Sequence, residues 1–251
     1  MNERESMDVQ LTERPSSVGT FFKSKSPSLA ESLGTSPLDF LVVDRQHTSV
    51  GLETVEAIVR AADVGDLPVV VRMATTEFDF VNSILDAGAR ALMIPQVEEP
   101  DTVRTVVEAA RYDGTRSLSM GTRAGGFGAR DREEYFEWTH QRLGIVPQIE
   151  SESAVERAGE IAEIAGVTAL MIGPTDLSLS LGAPKGDAEL RAAIDRVVES
   201  ARRADCGVGI FASSLEELRE YREVMDFVVY SSDAGLIESA IERAVEPRRS
   251  N

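Results

Sequence analysis

Eight short apolar runs recur along the chain with amphipathic helical stretches between them, and this alternation constrains the fold more than any other feature. The runs are Val18–Phe22, Phe40–Val43, Pro68–Arg72, Ala91–Ile94, Gly144–Ile149, Thr168–Ile172, Gly207–Phe211 and Phe227–Tyr230. Segments such as FLVV, VVVR, ALMI and FVVY are apolar at consecutive positions, as strands buried on both faces must be. Between them, apolar residues return every three or four positions: Leu52, Val55, Ile58 and Val59; Val103, Val106 and Val107; Leu190, Ile194, Val197 and Val198. Eight β/α units in 251 residues predict an α/β chain folded as a (β/α)8 TIM barrel, with a doubly wound open sheet as the competing architecture. One barrel domain over residues 16–251 follows, preceded by a polar lead, 1–15, that reads as disordered.

Scarce residues exclude several chemistries. The 26 Lys and Arg against 43 Asp and Glu leave a net charge of −17, which disfavours nucleic acid and anionic membrane surfaces as partners. The only lysines are Lys23, Lys25 and Lys185, the only histidines His47 and His140, and the only cysteine Cys206. No Cys/His zinc site or intrachain disulfide can be assembled from that set. The lysines sit among polar, Gly- or Pro-rich neighbours that read as loop, a poor setting for a Schiff base. No run spans a bilayer and no signal-peptide core opens the chain, so a cytoplasmic location is expected. The acidic, Arg-over-Lys balance suits a high-salt cytoplasm.

Two further segments stand out. Residues 111–142 are long for a βα connection and carry GTRAGGFG at 121–128, which has neither the Lys-Ser/Thr of a phosphate loop nor dinucleotide spacing; a lid or an interface segment is expected. Ser153 with Glu156 fits a capping box.

In a barrel, chemistry gathers where strands end. Asp44-Arg45-Gln46-His47 follows the second run, Arg72 ends the third, Gln148-Ile149-Glu150 ends the fifth and Gly173-Pro174-Thr175-Asp176 follows the sixth. Glu150 and Asp176 are hard oxygen ligands suited to Mg2+ or Mn2+, although acids there also favour helix N-termini. Arg72 suits either a substrate anion or an acid across the barrel mouth, and His47 either a working rim histidine or an ordinary polar residue.

The stretches LDAGARALMIPQVEEP at 85–100, VPQIES at 146–151 and IGPTDLSLSLG at 172–182 together resemble the HpcH/HpaI family of metal-dependent pyruvate aldolases, over a match from about Gly19 to the last helix. The resemblance implies a TIM barrel of the phosphoenolpyruvate/pyruvate superfamily type. It implies that Glu150 and Asp176 hold a divalent ion, Mg2+, Mn2+ or Co2+, without an organic cofactor. Gln148, Gly173, Pro174 and Thr175 would receive a 2-oxo acid, Arg72 would stabilise the enolate oxygen, and Asp44 with His47 would handle proton transfer. The implied reaction is reversible cleavage of a 4-hydroxy-2-oxo acid to pyruvate and an aldehyde. A decarboxylase, a citryl- or malyl-CoA lyase, or a retired 2-oxo-acid-binding barrel are the alternatives. Arg45-Gln46 departs from the Gly-Glu or Thr-Glu usual in the family. The family also implies a homohexamer, with 233–245 as a swapped or interface helix.

Overall fold

A computed structural model describes Leu11, residues 17–76 and residues 78–245. Its first half runs β1 (Ser17–Phe22), α1 (Pro27–Leu33), β2 (Phe40–Asp44), α2 (Leu52–Ala62), β3 (Val69–Arg72), α3 (Phe78–Asp86), β4 (Ala91–Ile94), α4 (Pro100–Ala110) and α5 (Arg132–Arg142). There follow β5 (Gly144–Ile149), α6 (Glu152–Glu156), α7 (Ala158–Ala162), β6 (Ala169–Ile172), α8 (Pro174–Leu181), α9 (Ala188–Arg203), β7 (Gly207–Ala212), α10 (Leu215–Tyr221), β8 (Phe227–Ser232) and α11 (Asp233–Val245). The eight strands pair in parallel, in chain order, and β1 pairs with β8 to close the barrel. An open sheet is thereby excluded.

Strand alternation sorts the apolar residues into two cores. Phe40, Val42, Val70, Ala91, Met93, Val146, Ala169, Met171, Phe227 and Val229 fill the barrel interior. Leu41, Val43, Val69, Val71, Leu92, Ile94, Ile145, Leu170, Ile172, Val208 and Ile210 face the helices. Leu11, within the lead expected to be disordered, is 1% exposed and belongs to the interior set; the rest of that lead lies outside the described residues. Two glycines make the interior possible. A Cβ on Gly19 would meet the Phe40 ring at 2.2 Å, and one on Gly209 would meet the Phe227 ring at 2.3 Å, so bulk on one strand is matched by its absence on the next.

The helices obey their local signals. Val55, Ile58, Val59 and Ala62 form the buried face of α2, and Pro27, Pro100 and Pro174 open α1, α4 and α8 at positions that need no N–H. The cap of α6 differs from the Ser153–Glu156 box: Ser151 is the N-cap, its hydroxyl accepting from the Ala154 N–H at 3.2 Å, while Ser153 bonds the Glu98 carboxylate. Residues 111–142 follow α4 and run into β5, so they are an αβ connection at the N-terminal end of the barrel. Pairs from Arg116 to Asp86 and from Arg123 to Asp63 hold them there, at the end away from the strand C-termini where a lid over this chain's own site would have to lie. Among the described residues no helix is long and apolar enough to cross a membrane.

Candidate active site

The interior parity that runs Phe40, Val42 along β2 reaches Asp44, and the one that starts at Val70 on β3 reaches Arg72. Asp44 and Arg72 are register partners on neighbouring strands, so both side chains enter the barrel side by side. They form a two-pronged pair: Arg72 Nε donates to Asp44 Oδ1 at 3.1 Å and Nη2 to Oδ2 at 2.7 Å. The backbone N–H groups of Gln46 and His47 add bonds to Oδ1 at 3.0 and 3.2 Å. Burial works to raise the Asp44 carboxyl, but Arg72, the His47 N–H and Lys23 together hold it below its ordinary value. The Arg72 guanidinium also stacks 4.3 Å above the Phe21 ring, which fixes its plane.

On β5 the same parity carries Val146, Gln148 and Glu150 inward. Glu150 accepts from the Gln96 N–H at 2.6 Å, and Gln96 takes a left-handed backbone, φ 52°, to present it. Burial pushes the Glu150 carboxyl up; the Gln96 bond opposes this and the Asp176 charge reinforces it. Two acids are thus held close enough to repel.

The β6–α8 junction supplies the other wall. Gly173 N-caps α8, Pro174 and Asp176 occupy its first turn, and Gly182 ends it at φ 65°. The motif GPTDLSLSLG is therefore one capped helix pointing its free N-terminal N–H groups at the barrel mouth. A Cβ on Gly173 would lie 2.8 Å from Gln148 Nε2 and 3.1 Å from Glu150 Oε2, so only glycine lets the ends of β5 and β6 meet this closely.

A cavity of about 230 Å³ lies over this floor, lined by Arg72, Gln148, Gly173, Pro174, Thr175, Asp176 and His47. Glu150 sits beneath, 7% exposed. His47 is an exposed rim residue whose contact to Asp44 runs through its backbone N–H. Arg45 turns away: its Nε donates to Val50 O at 3.2 Å and its guanidinium lies over Phe80 at 5.2 Å, so it does not crowd the mouth. His140, on α5, reaches Asp113 at 3.5 Å and has no part in the cavity.

Sequence reasoning missed Lys23, Phe21, Phe211, Ser213, Ser231 and Ser232, which complete the lining. Lys23 Nζ lies 3.8 Å from Asp44 Oδ2. The Asp233 carboxylate accepts from the Lys23 and Ser24 N–H groups at 3.1 and 2.8 Å and so sets where this loop leaves β1. Positions 19, 21 and 23 alternate in step, but the apolar run ends with β1 at Phe22 and leaves Lys23 in what reads as loop.

The donor set suits a hard divalent cation. Among the described residues no three His, Cys, Asp and Glu side chains form a metal cage. A Mg2+-type ion, however, is held by one or two carboxylates with the remaining positions left to water and substrate. Glu150 and Asp176 match that, and Gln148 Oε1 beside them is buried with no hydrogen-bond partner among the described residues.

This geometry can be set against known proteins. The family described as HpcH/HpaI aldolase/citrate lyase matches residues 17–239. The chain belongs to the HpcH/HpaI family. It is 31% identical over 253 residues to the hydroxypyruvate/pyruvate aldolase of Paraburkholderia phytofirmans, covering 96% of each chain. It is 30% identical over 235 residues to the 5-keto-4-deoxy-D-glucarate aldolase of Klebsiella pneumoniae, covering 91% of each. The crystal structure of an HpcH/HpaI aldolase/citrate lyase family protein from Burkholderia cenocepacia superposes with a TM-score of 0.88 at 32% identity, over 97% of this chain and 99% of that one. As a member of the HpcH/HpaI family, the protein is a carbon–carbon lyase of the metal-dependent aldolase class.

Proposed function

We propose that this HpcH/HpaI lyase cleaves a 4-hydroxy-2-oxo acid to pyruvate and an aldehyde, and catalyses the reverse condensation, with Glu150 and Asp176 holding Mg2+ or Mn2+. The observation that carries the reading is the meeting of Glu150, Gln148 and Gly173 under a small cavity whose other wall is Arg72. The relatives' names supply the pyruvate half. At about 230 Å³ the cavity is below the ~300–1,000 Å³ of sites for drug-sized ligands, which favours a short oxo acid over an acyl-CoA.

When bound, the cation acts as a Lewis acid that offsets the negative charge developing on the oxo acid. The chain's own groups do the rest. Free N–H groups in the first turn of α8, around Thr175, receive the substrate carboxylate, and Gln148 orients it. Arg72 spends two of its five N–H bonds on Asp44 and keeps the others for the enolate oxygen. Asp44, committed to Arg72 and to the turn after β2, is a positioning group. His47 takes or returns the proton of the 4-hydroxyl at the rim. No organic cofactor is needed for this sequence of events, and the pathway lies in the cytoplasm.

Pyruvate incubated in D2O with Mg2+ or Mn2+ tests the assignment by proton NMR of its methyl group. Exchange should be lost with EDTA and in Glu150→Gln. Exchange that persists in Glu150→Gln would remove that residue from the site. Binding of pyruvate without exchange under any metal or salt condition would leave a binder in place of an enzyme.

A further inference from the structure

The oxo acid takes only one side of the cavity over Glu150, between the ends of β3, β5 and β6. The other side, lined by Phe21, Lys23, Phe211, Ser213, Ser231 and Ser232, belongs to β1, β7 and β8. Around the rim the working groups fall in the order of the substrate's own atoms. The first turn of α8 meets the carboxylate, Arg72 on β3 the 2-oxo oxygen, and His47, just after β2, the 4-hydroxyl. The next strand in that direction is β1, and the residue that follows it is Lys23. Whatever the substrate carries beyond C4 therefore meets Lys23 first.

Among the described residues Lys23 Nζ makes no hydrogen bond. Its ion pair with Asp44 Oδ2 stands at 3.8 Å, beyond that reach, and Asp44 already takes four bonds from Arg72 and the turn after β2. The three N–H groups of the ammonium are left facing the cavity. The Ser231 hydroxyl also has no partner among the described residues. Its backbone is held left-handed, φ 55°, and Gly235 leaves it room, since a Cβ there would lie 2.5 Å from Ser231 Oγ. Ser232 Oγ accepts from the Gly235 N–H at 3.2 Å and keeps its own O–H to give. The other charges nearby are engaged elsewhere. Asp233, 5% exposed, accepts from the Lys23, Ser24 and Ala234 N–H groups, and Lys185 pairs with Glu217 and donates to Ser213 at 2.8 Å. An ammonium and two hydroxyls therefore form a set of donors without an acceptor, and an oxyanion supplies one.

We propose that Lys23 determines which aldehyde is joined to pyruvate, and that it selects one whose far end carries an oxyanion, carboxylate or phosphate, with Ser231 and Ser232 completing the bonds to it. This selection rests on the lyase reading of the same cavity. Phe21 and Phe211, with ring centroids 5.8 Å apart, give the carbon chain between the two ends an apolar surface.

Condensation with pyruvate in the presence of Mn2+ tests this with matched aldehydes: succinic semialdehyde against butanal, and glycolaldehyde phosphate against glycolaldehyde. The unmodified protein should favour the charged member of at least one pair by about tenfold or more in kcat/KM, the worth of a charge-assisted hydrogen bond. The pair with the larger preference identifies the anion. Lys23, whose side chain is 41% exposed, can be changed without disturbing the core. Lys23→Met should abolish the preference and Lys23→Arg should keep most of it. The ratio within a pair reads selection alone, because a general loss of activity lowers both members together. No preference in the unmodified protein, a preference that survives in Lys23→Met, or an equal loss for both members in that variant would each overturn the proposal, and would do so alone where pyruvate methyl exchange is intact. Absence of that exchange in the unmodified protein would overturn the lyase reading, and the selection with it.

Discussion

Asp44 gathers four hydrogen bonds on one carboxylate, two from Arg72 and two from the turn that follows β2. Its folded pKa lies below the ordinary 3.8, so the stabilisation it brings is complete at neutral pH and is lost as the pH falls through the folded value. Removing one partner of such a buried pair costs roughly 3–5 kcal/mol. Urea unfolding of Asp44→Asn should therefore show that loss at pH 7, with the gap to the unmodified protein closing in acid. A gap independent of pH would mean that the pair is not what stabilises the turn. Gly173 makes a different kind of residue-scale argument. Its backbone, φ −101°, is open to alanine, and the obstacle is the Cβ itself, aimed at Gln148 and Glu150. Gly173→Ala should leave unfolding nearly unchanged while pyruvate methyl exchange falls at least about tenfold, the cost of a misplaced catalytic group. Equal losses of stability and exchange would point to a folding role instead.

At the scale of elements, the interior of the barrel works by exchanging bulk between neighbouring strands. Phe40 and Phe227 meet edge to face at 6.1 Å only because Gly19 on β1 and Gly209 on β7 leave room for their rings. Gly209→Ala should destabilise the fold by about 1–3 kcal/mol, the usual cost of overpacking, measured by thermal or urea unfolding. Pairing that glycine change with Phe227→Leu should recover part of the loss. The same elements explain which parts of the site were legible. Strand ends could be read from apolar runs, and with them Asp44, Arg72, Glu150 and Asp176. Lys23 was not, because the run on β1 stops at Phe22 and the next inward residue belongs to a loop that Asp233, more than two hundred residues away, holds in place. The long connection was misplaced for a related reason: α4 had to be recognised as complete before 111–142 could be assigned to the N-terminal end of the barrel.

For the whole molecule, the two open questions are assembly and salt. On α11, Ile237, Ile241 and Val245 are exposed at four-residue spacing, an apolar stripe on the last helix. We propose that it packs against a neighbouring subunit in a hexamer. Light scattering should give a mass about six times the 27.2 kDa chain, and Ile237→Asp with Ile241→Asp should lower it. Molar KCl should favour the larger species by screening the −17 charge that each subunit carries. A monomer at both salt concentrations would sink both ideas.

The sequence by itself determined the barrel and the identity of the acids at its mouth, because strand burial, helix periodicity and the capped Gly173–Gly182 motif are local patterns that survive translation into one dimension. Only the tertiary structure decided what those residues do for one another. The Asp44–Arg72 pair depends on register between β2 and β3, and the crowding at Glu150 on where Gln96 and Gly173 come to rest. The Arg116–Asp86 and Arg123–Asp63 pairs depend on a connection folding back beneath the barrel. Each is a meeting of residues far apart in the chain, and no residue's neighbours in sequence encode it alone.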